Sequence, residues 1–318
     1  MASIITITFN PAIDKLSTVP VLIPEKKLVC SIPVYEAGGG GVNVSRAIKK
    51  LGGHSVALYL AGGHTGKLFT HMLLEEHVES IVTETHGYTR ENLIVLEMAT
   101  NQQYRFGMPG PEISAQEWQD CLKNIDHLPG VEWIVASGSL PPGVPTDIFA
   151  RIARIARRKN ARLIVDTSGE ALKEAVYEGV YLIKPNLVEL SSLVGSDELH
   201  IESIDDVARQ VIDKGNCEVI VVSMGQTGGM LVTRDLVKQI IPPPVKRKST
   251  VGAGDCMVAG IVLQLSDNKS LVEAVQYGVA CGTAATMNPG TMLCNKGDAD
   301  RLFKLIQEKT IPDYSLEK

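Results

Sequence analysis

The chain has 318 residues, 44% of them apolar, with 31 Lys and Arg against 36 Asp and Glu for a net charge of −5. That balance, without a long basic block, argues against nucleic acid as the main partner, and the apolar content is ample for a full core in one α/β unit spanning residues 1–318. The cysteines at 30, 121, 217, 256, 281 and 294 form no C-x-x-C pair, and no apolar run is long enough to span a bilayer. A cytoplasmic protein in a reducing compartment, with no membrane partner, is therefore expected.

Ile4 to Phe9 reads as a buried strand, and Asn10-Pro-Ala-Ile-Asp14 as a turn that leaves Asp14 just past its carboxyl end. From Lys15 to Tyr35 the chain is punctuated by Pro20, Pro24 and Pro33, and the alternation around Lys27 to Ile32 predicts exposed or edge β structure. Gly38 to Gly41 follow, then Val44, Ala47, Ile48 and Leu51 at helical spacing. Four consecutive glycines before a helix cost backbone entropy, so a ligand lying close to the main chain is the expected reason for them.

His54 to Leu60 is the next strand and Thr65 to His77 the next helix. Ala61-Gly-Gly-His-Thr-Gly-Lys67 nearly matches a P-loop, but Leu68 stands where a Mg²⁺-binding hydroxyl is required, so Lys67 reads as a solvated helix residue. Ser80 to Thr85, Glu91 to Met98 and Tyr104 to Phe106 are extended with no helix between them. Together with residues 15–36 they predict a small separate sheet bearing Lys27, Arg90 and Arg105. Each of those side chains, taken alone, also suits a plain surface charge.

Beyond Pro111 strands and helices alternate regularly. Val131 to Ala136 ends in Ser137-Gly-Ser139, and Thr146 to Lys159 is an amphipathic helix with a basic outer face. Leu163 to Val165 ends in Asp166, Val180 to Ile183 leads into Lys184-Pro-Asn186-Leu-Val-Glu189, and Val219 to Val222 leads into Ser223-Met-Gly225. A hairpin around Thr233 and Asp235 then carries the chain to Ser249-Thr-Val-Gly-Ala-Gly-Asp255 and an apolar helix from Cys256 to Leu265.

That last motif carries the most chemistry. Gly252 and Gly254 let backbone N–H groups converge on an anion at a helix N-terminus. A carboxylate beside bound phosphate is repulsive, so Asp255 is a poor choice for binding alone; it serves either as a helix cap or as the base that takes a proton from an attacking hydroxyl. In an open parallel sheet, ligands bind beyond the carboxyl ends of the strands. Asp14, Ser137 to Ser139, Asp166, Lys184 to Glu189 and Ser223 to Gly225 all fall on that rim, which favours phosphoryl transfer. No G-x-G-x-x-G opens a helix after a strand, which counts against a dinucleotide dehydrogenase.

Gly38-Gly-Gly-Gly-Val-Asn43 and Ser249-Thr-Val-Gly-Ala-Gly-Asp255 resemble the two signatures of the ribokinase-like (PfkB) family of sugar kinases, and Lys184-Pro-Asn-Leu-Val-Glu189 its N-x-x-E magnesium motif. Ser137 to Pro142, Val34 to Gly39, Gln103 to Gly110, Ile164 to Leu172 and Pro242 to Lys246 extend the resemblance over nearly the whole chain. It implies a doubly wound, mostly parallel sheet with helices on both faces and a β-sheet lid from about residues 15–36 and 88–106. The Ser-Thr-Val form is similar to the phosphosugar branch, and implies ATP-dependent phosphorylation of the 1-hydroxyl of fructose 6-phosphate, with tagatose 6-phosphate or fructose 1-phosphate as alternative substrates. A non-catalytic sugar-phosphate sensor is the reading from a different class.

The family's roles fall on matching positions. Asp255 would be the base, with Gly252 in the same motif and the N–H groups of Ala253, Gly254 and Asp255 forming the anion hole. Asp14, Gly39, Gly40 and Asn43 would hold the sugar hydroxyls, Ser139 the sugar phosphate or transfer path, and Arg90 and Arg105 the anionic end. Lys27 would complete the site, supplied by a second subunit of a homodimer or higher homo-oligomer paired through its lids. Lys184 would reach the ATP phosphates; Asn186 and Glu189 would organise Mg²⁺ through water; Ser223, Gly225, Thr250, Val279 and Thr283 would line the nucleotide. A K⁺ site is implied at the carbonyls of Ser249, Val251, Ala285, Asn288 and Gly290, with Pro289 and Met292 as departures from the family's pattern.

Overall fold

In the computed structural model, which describes residues 4–196 and 203–309, the apolar runs become strands buried on both faces. Residues of a strand point alternately to its two sides. On β8 (Trp133–Ser137), Ile134 and Ala136 join one apolar cluster while Trp133 and Val135 join another, and on β11 (Cys217–Ser223) Ile220 and Val222 are likewise separated from Val219 and Val221. Such strands need cover on both sides, which explains why parallel strands read as continuous apolar runs.

The cover is helical. One cluster takes in α3 (Ala115–His127), α4 (Ile148–Lys159), α5 (Gly169–Glu178), α6 (Leu187–Val194) and α7 (Ile204–Lys214). The other takes in α1 (Gly40–Lys50), α8 (Ala253–Ser266), α9 (Leu271–Thr286) and α10 (Lys296–Lys309). The nine-stranded sheet has the order β13-β12-β11-β10-β9-β8-β1-β4-β5. Here β1 is Ile4–Thr8, β4 Val56–Gly62, β5 Glu79–Thr85, β9 Arg162–Asp166 and β10 Val180–Ile183, all parallel with β8 and β11. The hairpin β12 (Gly229–Val232) and β13 (Val237–Ile240) closes one edge antiparallel, its turn tied by Thr233 accepting through Oγ1 from Leu236 N at 3.0 Å.

A second, four-stranded sheet has the order β3-β2-β6-β7: Val34–Gly38, Ala12–Val19, Arg90–Glu97 and Gln102–Phe106. Its root is anchored where Ile13 and Ala37 pack with Ala57, Tyr59 and Ala61 of β4 and with Phe69 and Leu73 of α2 (Gly63–Glu75). Three local expectations give way here. Ser80 to Thr85 belongs to the main sheet, because β5 pairs with β4 along its length. Lys27 to Ile32 forms no strand: Ser31 meets β2, its N–H donating to Thr18 O at 2.9 Å and its Oγ accepting from Thr18 N at 3.0 Å, but no ladder extends from it, and Val29 and Ile32 are 78% and 92% exposed. Asp14 lies within β2 and not in a turn, paired across the sheet with Glu36 and Asn92. Among the described residues no helix is long and apolar enough to cross a membrane.

Candidate active site

The carboxyl ends of the parallel strands deliver the polar rim. β1 leads to Asn10, β8 to Ser139, β9 ends in Asp166, β10 leads to Lys184 and β11 ends in Ser223. Opposite this rim stands one face of the smaller sheet. Directly paired residues share a face, so the pairings Ala12–Arg90, Asp14–Asn92 with Glu36, and Ile94–Arg105 put Arg90, Asn92, Asp14, Glu36 and Arg105 together on it. The opposite face carries Ile13 and Ala37 at the root and Lys15, Tyr35, Leu93 and Phe106 further out.

Between rim and sheet lies the start of α8. Gly252 takes φ +72, a conformation open to glycine at little cost, and an added Cβ would also press Leu293 at 2.7 Å. Cys256 N donates to the Gly252 carbonyl and Ala253 N reaches Thr250 O at 3.4 Å, which leaves the Gly254 and Asp255 N–H groups without carbonyl partners. Two orphan donors at the positive end of a helix make an anion hole. Asp255 caps nothing through its side chain. Its Oδ2 accepts from Asn43 Nδ2 of α1 at 2.9 Å. Desolvation foremost, then the nearby Asp166 carboxylate, push its pKa up to about 6, against the pull of Asn43 and Lys184. A partly buried carboxylate tuned toward neutrality is what proton abstraction from a hydroxyl requires.

Lys184 is 6% exposed, and its Nζ pairs with Asp166 Oδ1 at 3.2 Å while lying beside Gly254. Burial opposes its charge, but Asp166 first, then Glu189 and Asp255, outweigh that and raise its pKa. The N-x-x-E pair forms a capping box: Glu189 N donates to Asn186 Oδ1 and Asn186 N to Glu189 Oε2, both at 2.9 Å. One motif thus fixes the α6 N-terminus and leaves Glu189 Oε1 and the Asn186 amide nitrogen for a ligand. Desolvation raises the pKa of Glu189. Among the described residues no group of three or more His, Cys, Asp or Glu side chains is gathered to hold a metal directly.

A cleft of about 640 Å³ opens beside α8, lined by Asn186, Ser223, Gly225, Thr250, Val279 and Thr283 among others, and reaching Gly254 at its inner end. Asn186 and all five positions expected to line the nucleotide are among its walls; Lys184 and Glu189 are not. The expected cation-site segments also meet: Ser249 Oγ donates to the Gly290 carbonyl at 2.6 Å, Lys248 N to Thr286 O at 2.8 Å, and Asn288 N to Ala285 O at 3.1 Å. Val251 N is tied to Ser249 Oγ at 3.2 Å, and the side chain of Thr291 is buried with its hydroxyl unpartnered.

The four glycines have a packing reason beside the expected one. A Cβ on Gly40 would collide with Ser137 and Gly138, one on Gly41 with Ile7 and Thr8, and Gly39 has φ +116. Packing of α1 against the ends of β1 and β8 demands them before any ligand arrives; only Gly38, whose Cβ would reach Asp14 Oδ2 at 2.5 Å, faces the polar cleft. Arg90 has a structural tie as well. Its Nη atoms donate to the carbonyls of Met108 and Asn10 at 3.0 and 2.9 Å, so it latches the segment after β7 to the end of β1, leaving only Nε unpaired. Arg105 is exposed, held by Gln103, and near enough to Asp14 to lower its pKa slightly against the dominant rise from burial. Ser139 Oγ accepts from Asn10 Nδ2 at 3.2 Å. Lys27 stays exposed on the loop between β2 and β3, with no hydrogen bond or ion pair among the described residues.

Several participants escaped sequence reasoning. Asn92 donates to Asp14 Oδ1 at 2.8 Å, and its place two residues beyond Arg90 on a strand was the available signal. Arg46, only 4% exposed, grips Glu76 with bonds of 2.6 to 3.0 Å, the Ala37 carbonyl, and Asn43 Oδ1 at 3.4 Å. It fixes which way the Asn43 amide faces, and its three-residue spacing from Asn43 on a helix could have exposed it. Asp166 stood on the predicted rim without a role and proves to be the partner of Lys184.

Comparison with known proteins agrees with this geometry. The profile described as pfkB family carbohydrate kinase matches residues 7–297. ATP-dependent 6-phosphofructokinase isozyme 2 of Escherichia coli (strain K12) is 41% identical over 304 residues, covering 95% of this chain and 98% of the relative. The crystal structure of phosphofructokinase-2 from Escherichia coli in complex with potassium superposes with a TM-score of 0.92 at 40% identity, covering 96% of this chain and 100% of that one. The same protein in complex with fructose-6-phosphate gives 0.91 at 39% identity, with the same coverage.

Proposed function

This chain belongs to the pfkB family of carbohydrate kinases, and on that footing we propose that it transfers the γ-phosphoryl group of ATP to the 1-hydroxyl of fructose 6-phosphate, giving fructose 1,6-bisphosphate and ADP. One observation carries the reading: a carboxylate with its pKa raised to about 6 sits at the same helix N-terminus as two unpartnered N–H groups, facing a sheet face rich in sugar-binding side chains. Similarity over 96% of the chain to a protein solved with fructose-6-phosphate supports the choice of sugar.

Asp14, held by Asn92, accepts from sugar hydroxyls, while Asn43 presents its amide between sugar and base. The proton of the attacking hydroxyl passes to Asp255, the new O–P bond forms as the bond to the β-phosphate oxygen breaks in line, and ADP departs. The Gly254 and Asp255 N–H groups stabilise charge on the equatorial oxygens, and Lys184, buried beside Gly254, faces the transferring phosphate. Ser139 and Arg105 stand toward the sugar phosphate; Arg90 organises that end by fixing the main chain. The smaller sheet acts as a lid that excludes water from the transfer.

Asn186 and Glu189 fit Mg²⁺ held through water, since one face of their capping box remains free and Mg²⁺ sheds its waters reluctantly. When bound, the ion neutralises the triphosphate. The carbonyls of Ser249, Val251, Ala285, Asn288 and Gly290 suit K⁺, and because these are main-chain oxygens, Pro289 and Met292 do not remove them. The face of the lid away from the rim exposes Tyr35 and Phe106, and the loop between β2 and β3 exposes Val29 and Ile32. That surface suits pairing with a second copy, the arrangement in which Lys27 reaches the partner's site. Consumption of ATP and free thiols throughout the described residues fit the cytoplasm.

An ADP-release assay with ATP and Mg²⁺ tests the reaction, comparing fructose 6-phosphate, tagatose 6-phosphate, fructose 1-phosphate and fructose by kcat/KM. Preference for fructose 6-phosphate is expected. A preference for another phosphosugar would move the specificity alone, and no phosphosugar-dependent turnover would leave the sensor reading. Light scattering at working concentration that gave a monomer would reject the paired lids.

A further inference from the structure

The nucleotide cleft has two walls that neither the sequence motifs nor the phosphate chemistry explains. Arg247 and Gln226 both line it, from different segments. With the Gln226 amide oxygen turned to the guanidinium, it accepts from both Nη atoms of Arg247, at 2.9 Å from Nη1. Each end of this bracket is pinned. Arg247 is followed at once by Lys248 and Ser249, whose N–H groups donate to Thr286 O of α9, and Gln226 sits in a one-turn 3₁₀ segment, Gly225–Thr227, closed by Gly228 N to Gly225 O at 3.2 Å and by Thr227 Oγ1 to Met224 O at 2.8 Å.

The chemistry of the other walls defines what the bracket is for. Pro243, Val245, Met257 and Val279 give an apolar slot with no aromatic ring, and Arg247 is the one charged side chain among the residues lining the cleft. No carboxylate pairs with it among the described residues. Gln226 ties the guanidinium to the 3₁₀ turn after β11, a different segment from Gly254 and the α8 N-terminus where the phosphates are gripped. A planar cation fixed by a planar acceptor, in the wall of a cleft that also presents apolar side chains, has the chemistry to stack on a heteroaromatic base.

We propose that Arg247 is a nucleotide-positioning residue whose guanidinium, aimed by Gln226, lies flat on the purine of the bound donor. The proposal rests on the nucleotide reading of this cleft. Titration calorimetry of ADP and of adenosine, with steady-state kinetics in ATP, tests it. Arg247→Ala should weaken ADP and adenosine by the same factor, about 3- to 30-fold, the range of a desolvated cation over a ring. KM for ATP should rise in step while kcat and the KM for phosphosugar hold. Arg247→Lys, which keeps the charge and loses the plane, should resemble the alanine variant. Gln226→Ala should lose about 2- to 5-fold, and Gln226→Glu, which can still accept from both Nη atoms, should restore affinity. Unchanged ADP affinity in Arg247→Ala would overturn the proposal. So would a loss confined to phosphate-bearing ligands that vanishes near about 0.5 M salt, since that marks a screened phosphate contact. Failure of the unaltered protein to bind ADP at all would instead reject the nucleotide cleft itself.

Discussion

The start of α8 and the smaller sheet meet at one cleft, yet they are built on opposite principles. α8 is apolar on every side, with Cys256, Val258, Ala259, Gly260, Ile261 and Val262 all buried, so its N-terminus and the N–H groups there are held by the core itself. Among the described residues the smaller sheet joins a hydrophobic cluster of the main body through Ile13 and Ala37 at its root, and every residue of β7 is exposed. The chemistry sits on the rigid side and the sugar's hydroxyl partners on the loosely covered side. A fixed anion hole with a separately held lid lets substrate enter and water leave without disturbing the base.

Breaking the rigid side should have the largest effect. Asp255→Asn is expected to cut turnover by about two to four orders of magnitude, the scale of a lost general base, with ADP binding retained. The same variant should melt no lower than the parent at pH 8. The folded-state pKa of Asp255 is raised from 3.8 to about 6, so its charge opposes folding as pH rises past that range, and the amide removes the cost. A clear fall in Tm at pH 8 would contradict the sign of that shift.

Lys184→Met should come next. It strips a buried carboxylate, Asp166, of its cation, so Tm should drop and KM for ATP should rise. Adding Asp166→Asn should recover much of the lost Tm but not the kinetics, and recovery of both would deny Lys184 a role toward phosphate. On the lid side, Asp14→Asn replaces an acceptor facing Asn92 with a donor-bearing amide. The expected outcome is a rise in KM for the phosphosugar of about ten- to a hundredfold with KM for ATP unchanged, measured by steady-state kinetics.

The smallest effect on activity belongs to Glu117, which sits in the capping box of α3 and takes no part in the site described above. Burial alone would raise its pKa, but donors from His86 and Ser114 outweigh it and hold it down at about 2. Its stabilising share is therefore full above the unfolded value of 4.5 and lost as pH falls toward 2. Glu117→Gln should lower Tm at pH 7, flatten its dependence on pH between 4.5 and 2, and leave kcat unaltered; an acid melting curve unchanged in shape would refute this.

The two regions also differ in how much of them could be read in the sequence. The rim of the main sheet was legible because parallel strands are apolar runs of fixed length, and the residue after each run must fall at the carboxyl end. Asp166, Lys184 and Ser223 were placed that way, and the glycine-bounded Asp255 stood out by its chemistry. The smaller sheet was less legible because alternation does not say which strand is the neighbour. Ser80 to Thr85 alternates as well as any of its strands, yet β4 claims it, and Lys27 to Ile32 alternates but bonds to β2 at Ser31 without forming a ladder. The packing constraint on Gly40 and Gly41, the close passage of α1 over β1 and β8, was not legible because it joins residues about 30 to 100 positions apart in the chain. The Arg46–Glu76 pair escaped for the same reason.

The account turns on Asp255 as a base tuned near neutrality, and the most direct test is the pH dependence of kcat with saturating ATP, Mg²⁺ and fructose 6-phosphate, in the parent and in Asp255→Asn. Sugar phosphates themselves titrate near pH 6, so the comparison, and not the parent profile alone, is decisive. The parent should lose activity on the acid side with an apparent pKa near 6, and the residual turnover of the variant should show no such limb. An acid limb of the same pKa in both proteins would assign that titration to the substrate and contradict the role given to Asp255.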